Sequence, residues 1–142
     1  MTLIDSKKQP MLGQDPQANL IHDSDINTVV NELRSAGAEA ITVNGQRVVG
    51  STSIRCAGPI VIINDAKQTT PFLIQAIGAP DTLMNALNIP NGVLDGIRRY
   101  EVNMVRIEKQ SAIHMPAYTG STKFSYVHTE KAPPSGTHKV RK

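Results

Sequence analysis

The chain has 142 residues, 39% hydrophobic and 19% charged, with a formal net charge of +3; that suits one folded domain able to bury a core without a metal or a disulfide. Aromatic residues make up 4% and Trp is absent, which argues against base stacking on single-stranded nucleic acid and against a deep aromatic ligand pocket. Cys56 is the single cysteine, so an internal disulfide is excluded and the redox compartment cannot be read.

The charge is unevenly placed. From residue 120 onward five Lys or Arg side chains accompany Glu130 alone, leaving ten basic and eleven acidic side chains in the first 119 residues. The basicity belongs to a tail, where a solvated end is the ordinary explanation, and no nucleic acid is expected as a partner. No apolar run approaches the ~18 residues that a membrane helix needs. Met1 leads directly into Thr2, Leu3, Ile4 and Asp5, a start from which no signal peptide is expected. The chain as given is expected to be soluble.

Residues 2–5 read as the last piece of a strand, with Leu3 and Ile4 able to pack, and imply a polypeptide that extends further upstream. Residues 6–19 are polar, hold Pro10, Gly13 and Pro16, and read as a loop. Residues 21–37 form the best helix. Ile26, Val29, Val30 and Leu33 make one apolar stripe, Asp23 or Ser24 can cap its start, Asp25 suits the positive end of its dipole, and Gly37 stops it.

Residues 38–43 form a strand, and Asn44-Gly45 marks a type I′ hairpin turn. Residues 46–56 return as one strand with an irregularity at Gly50. Thr52, Ile54 and Cys56 alternate there with Ser51, Ser53 and Arg55, which points Arg55 outward. Residues 60–63 are continuously apolar, as a central strand buried on both faces would be. Residues 66–70 read as a turn and 71–77 as another strand. Helices over 81–87 and 91–99 are split by Pro90, and 102–109 closes as a strand. The order defines an α+β fold, a two-layer sandwich with helices on one face of a mostly antiparallel sheet. The domain ends near residue 110, and 111–142 reads as a largely disordered basic tail.

Six residues form the candidate ligand-binding set: His22, Asp23, Asp25, Ser51, Ser53 and Arg55. The first three could offer a metal one imidazole and two carboxylates, but no second cluster completes a site and capping explains them. Ser51 and Ser53 beside Arg55 could hold a phosphate or carboxylate. The segment lacks P-loop spacing, and an exposed strand face is the favoured explanation. Arg55 could instead pair with an acid at the helix start and tie sheet to loop. Cys56, on an apolar strand, is expected to be buried and inert. No Ser-His-Asp order, paired acid/base carboxylates or dinucleotide fingerprint appears. No catalysis, metal or cofactor is expected.

Three segments, LIHDSDINTVVNELRSAGAEAITVNGQRVV, STSIRCAGPIVIIND and PFLIQAIGAPDTLMNAL, occur in order. Together they resemble the bacterial YlxW/YlxX-like domain of unknown function, often labelled division initiation protein. The resemblance covers residues 2–108 and rests on His22-Asp23, residues 36–40, the turn at 44–47, Ile54-Arg55-Cys56 and Ala76-Ile77-Gly78. It implies an α-β plait (ferredoxin-like) on the extracytoplasmic side of the cell membrane, following an upstream membrane helix and coiled coil. It implies no enzymatic activity. The expected function is a non-catalytic envelope module that contacts another envelope or division protein, the wall, or a second copy. Membrane contact would come only through the upstream anchor. The alternative is a small-ligand or anion sensor using Arg55, Ser51, Ser53 and His22.

Overall fold

The structure is a computed structural model, described here for residues 1–127. In chain order it comprises β1 (Thr2–Leu3), α1 (Asp23–Ser35), β2 (Ala40–Val43), β3 (Gln46–Arg47), β4 (Ile54–Ala57), β5 (Ile60–Ile63) and β6 (Ala66–Gln68). There follow β7 (Phe72–Ile77), α2 (Pro80–Leu87), α3 (Val93–Tyr100), a 3-10 turn at Val102–Met104, and β8 (Val105–Arg106). The architecture is α+β. One antiparallel sheet has five strands in the order β3-β2-β7-β1-β8, and a second has three in the order β4-β5-β6.

The stripe on α1 is buried as its spacing requires: Ile26, Val29, Val30 and Leu33 all face the core. The helix ends in a Schellman arrangement. Gly37 sits at φ +85, its N–H donates to Arg34 O at 3.0 Å, and Ala38 N–H donates to Leu33 O at 2.9 Å. Only glycine takes that φ without a Cβ penalty. The β2–β3 hairpin turns on Asn44 at φ +47 and Gly45 at φ +76, the pair of left-handed residues that a type I′ turn demands.

One core joins the layers. The α1 stripe meets Leu3, Ile41, Val43, Phe72 and Ile74 of the larger sheet, Leu83 and Leu87 of α2, and Leu94 and Ile97 of α3. Val61 and Ile63 attach the smaller sheet to the same cluster. Each such side chain contributes about 1.5–3 kcal/mol on burial.

Four local expectations are corrected. Residues 46–56 are not one strand: a turn at Val49–Thr52 separates β3 from β4 and sends them to different sheets. Thr52 N–H donates to Val49 O at 3.1 Å, and the Thr52 hydroxyl accepts from Val49 N–H at 2.8 Å, so the turn closes on its own polar groups. In β5 only Val61 and Ile63 are buried; the strand is central in its small sheet but covered on one face. The polar stretch after it is no simple turn. Asn64 and Asp65 turn the chain at φ +49 and +64, and Ala66–Gln68 pairs back as β6. The last strand is short, because a 3-10 turn occupies Val102–Met104.

Residues 6–20 form a loop whose ends are tied together. Ser6 N–H donates to Asn19 O at 2.8 Å, and Ile21 N–H donates to Asp5 Oδ1 at 2.8 Å. The Ser6 hydroxyl bonds Glu101, which anchors this base against the turn after α3. Residues 111–127 carry no helix or strand, though Arg47 Nη1 donates to Pro116 O at 3.3 Å. The part of the expected basic tail at 128–142 lies outside the described residues.

Candidate functional site

The start of α1 is where the sequence concentrates its polar residues. His22 occupies the N-cap, with φ −100 and ψ 167, displacing the expectation that Asp23 or Ser24 would. Asp25 Oδ2 accepts His22 N–H at 2.8 Å, which satisfies a donor that the helix leaves open. The same oxygen lies 3.8 Å from His22 Nδ1, and His22 Nε2 faces Gln17 Oε1 at 3.3 Å. Asp25 therefore acts as anticipated for the first turn, and His22 packs back onto the loop.

Asp23 does something different. Its Oδ2 accepts Cys56 N–H at 2.7 Å, and its own N–H donates to Cys56 Sγ at 3.3 Å. One turn later Asn27 Nδ2 donates to Ile54 O at 3.2 Å. Strand β4 is an edge of the smaller sheet, so its outer backbone groups need partners. Asp23 and Asn27, four apart on one helix face, supply them. The N–H of Cys56 is the main reason the Asp23 carboxyl is held below the usual range; burial opposes this, while the Ser24 N–H and His22 assist.

Arg55 is exposed; its backbone pairs with Ile62 in the β4–β5 ladder, and its side chain makes no hydrogen bond or ion pair with any described residue. The tie between sheet and helix start exists, but the neighbouring backbone amide makes it. The signal available in the sequence was the Asp23/Asn27 spacing, which offers one acceptor and one donor to a strand edge.

Cys56 corrects another expectation, because its side chain is exposed rather than buried. Partial desolvation first, and the charges of Asp23 and Asp25, nevertheless push its thiol up. Only the thiolate reacts with alkylating reagents. Cys56 is expected to alkylate several-fold more slowly than free cysteine at pH 8, and Asp23→Asn to narrow that difference. Timed labelling followed by mass spectrometry checks this.

Ser51 and Ser53 stand apart from the helix start. They line a polar cleft of about 430 Å³ with Gln46, Asn64, Asp65 and Tyr118, and none of His22, Asp23, Asp25 or Arg55 lines it. The six candidate residues are thus divided between two places. Among the described residues, no three His, Cys, Asp or Glu side chains are grouped as a metal site would group them.

The geometry defines a class: a small α+β domain whose helix-start polar residues are spent on capping and on covering a strand edge. Residues 1–128 match the family described as bacterial protein of unknown function (DUF881), and the chain belongs to that family. It is 37% identical over 115 residues to the UPF0749 protein YlxW of Bacillus subtilis, covering 81% of this chain and 49% of that protein. It is 41% identical over 81 residues to the UPF0749 protein Rv1825 of Mycobacterium tuberculosis, covering 54% of this chain and 28% of that one. A crystal structure of an uncharacterized conserved protein from Mycobacterium tuberculosis superposes with a TM-score of 0.53 at 31% identity, over 72% of this chain and 83% of the other. The chain spans half or less of the length of the UPF0749 proteins it matches. Among the described residues, no helix is long and apolar enough to cross a membrane.

Proposed function

We propose that this domain is a non-catalytic contact module of a membrane-anchored bacterial envelope protein, placed on the extracytoplasmic side and linked to cell division. It works through protein–protein or wall-associated contacts. The observation that carries this reading is the loop at residues 6–20. Its base is pinned at both ends, yet Met11 and Leu12 stand 72% and 108% exposed. Two adjacent apolar side chains held out on a closed loop form a small docking patch. His22, Asp23 and Asp25, which a chemical site would use, are meanwhile engaged in the helix cap and in edge bonds.

The larger sheet is read here as an α-β plait. The elements β1, α1, β2, β7, the α2–α3 pair and β8 follow a β-α-β-β-α-β order. The antiparallel neighbours β2-β7-β1-β8 support that reading, with β3–β6 as an insertion. The upstream anchor and coiled coil belong to the same proposal, and the greater length of the relatives leaves room for them. A sensor role through Ser51, Ser53, Arg55 and His22 has less support, since these residues do not share one cleft.

Site-specific photocrosslinking in bacteria carrying the anchored protein tests the contact role. A crosslinker at Leu12 should give a discrete adduct, and one at exposed Asp81 should not. The double variant Met11→Ser, Leu12→Ser should weaken co-purification of that adduct's partner while moving Tm by no more than about 2 °C. Absence of any adduct at either loop position would overturn the reading.

A further inference from the structure

Separate stretches of the chain meet at the polar cleft that holds Ser51 and Ser53. The β2–β3 hairpin brings Gln46, the turn between β5 and β6 brings Asn64 and Asp65, and the segment at 118–121 brings Tyr118. Arg47 is the hub that ties them. Its carbonyl oxygen accepts Asn64 Nδ2 at 2.8 Å and the Thr52 hydroxyl at 3.4 Å, and its Nη1 donates to Pro116 O at 3.3 Å. Asn64 N–H also donates to Ser53 O at 3.3 Å. The frame is held by its own hydrogen bonds, the preorganisation that a binding site needs.

The facing side chains take no part in that frame. Gln46, Ser51, Ser53, Asp65 and Tyr118 line the cleft, yet none of their side chains bonds to a described residue. At the start of α1 the opposite holds, since Asp23, Asp25 and Asn27 are all bonded.

The lining narrows the occupant. Among the described residues, every lining residue except Gly120 carries a hydroxyl, an amide or a carboxylate. No Lys, Arg or His lines the cleft and Asp65 is the single charge, so an anion meets repulsion with no counter-charge. One carboxylate is a poor basis for a calcium ion, which takes about six to eight oxygens. No aliphatic side chain offers a lipid a seat. An added peptide strand is refused as well, because Asn64 and Thr52 already occupy Arg47 O on edge strand β3.

We propose that this cleft binds a neutral, hydroxyl-rich saccharide. The Asp65 carboxylate accepts from sugar hydroxyls, while the Gln46 amide and the Ser51 and Ser53 hydroxyls both donate and accept. The Tyr118 ring supplies an apolar face for the C–H side of the sugar. Tyr118 is half-buried, and any side chain at Gly120 would overlap its hydroxyl end. The ring keeps its place because residue 120 has no Cβ. The cleft volume of about 430 Å³ lies within the roughly 300–1,000 Å³ of small-ligand sites. The cleft shares no residue with Met11 and Leu12, so the inference stands or falls apart from their contact role.

Amide NMR titration of the full chain tests the proposal. The probes are maltotetraose and chitotetraose as neutral sugars, tetragalacturonate as an acidic one, and calcium chloride and inorganic phosphate. At least one neutral tetrasaccharide should shift the amides of Ser53, Asp65 and Tyr118 saturably, with Kd below about 5 mM. Binding about 10-fold tighter than that of its monosaccharide marks a polysaccharide strand as the source, and equal binding marks a free sugar. Tyr118→Ala should weaken binding about 10-fold or more. Asp65→Asn keeps a residue that tolerates the turn; it should weaken the neutral sugar several-fold and admit tetragalacturonate, which the native cleft rejects. Absence of saturable shifts with both neutral tetrasaccharides would overturn the proposal. So would shifts with calcium or phosphate alone, or unchanged sugar affinity in both variants.

Discussion

Replacing Asp23 by alanine should lower stability by about 2 kcal/mol, the range for removing a charged acceptor from a backbone donor. The carboxylate accepts Cys56 N–H at 2.7 Å, and without it the edge of β4 loses its cover at that point. A smaller share is lost from charge at the positive end of α1. Asp23→Asn retains an acceptor without the charge and should cost about half as much. The effect depends on pH in a set direction. The folded carboxyl titrates below its ordinary value of 3.8, so its stabilisation is complete above that value and fades as pH falls beneath it. Urea unfolding of both proteins at pH 7 and pH 3 reads this directly. An Asp23→Ala penalty of the same size at the two pH values would remove the ionised carboxylate from the account.

Ile63→Ala should cost about 3 kcal/mol, within the usual span for truncating a buried isoleucine. Ile63 is 0% exposed and belongs to the shared core, opposite Ile54 and Ala66 in the smaller sheet. Its loss leaves a cavity where that sheet meets the rest of the domain. In a chain of this size Tm should fall by roughly 6–12 °C. Ile62→Ala is the control, because Ile62 points to the less covered face and should cost less than about 1 kcal/mol. Equal penalties at the two positions would mean that β5 is packed on both faces after all.

That comparison isolates what the residue pattern could and could not convey. The apolar spacing of α1, the Gly37 stop and the Asn44-Gly45 turn each depend on neighbours in sequence, and all three appear in the structure as read. The run Ile60 to Ile63 has no polar member, so periodicity cannot report which face is covered. Asn64 and Asp65 turn the chain as effectively as Asn44-Gly45, but Asp tolerates the left-handed region less readily than Gly and gives a weaker signal. The turn at Val49–Thr52 was marked only by Gly50, and the transfer of the chain to another sheet depends on partners far along the chain.

The candidate site followed the same rule. Asp25 and the helix start were legible because capping is local. The partner of Asp23 was not, since a backbone amide carries no side-chain identity to read. Arg55 drew attention by its charge, and the adjacent Cys56 N–H made the bond. Ser51 and Ser53 looked like neighbours of Arg55 in sequence, whereas the fold places them in the cleft with Tyr118.

The position of β1 also bears on the order in which the protein can assemble. Its two residues pair with Phe72 and Leu73 on one side and with Val105 and Arg106 on the other. A ribosome releases the chain in order, so Thr2 and Leu3 must wait for Val105 and Arg106, which emerge far later. Closing contacts of such long sequence separation slows folding. The hairpins at Asn44-Gly45 and Asn64-Asp65 can form as soon as they emerge, and the sheet becomes continuous only when β8 arrives.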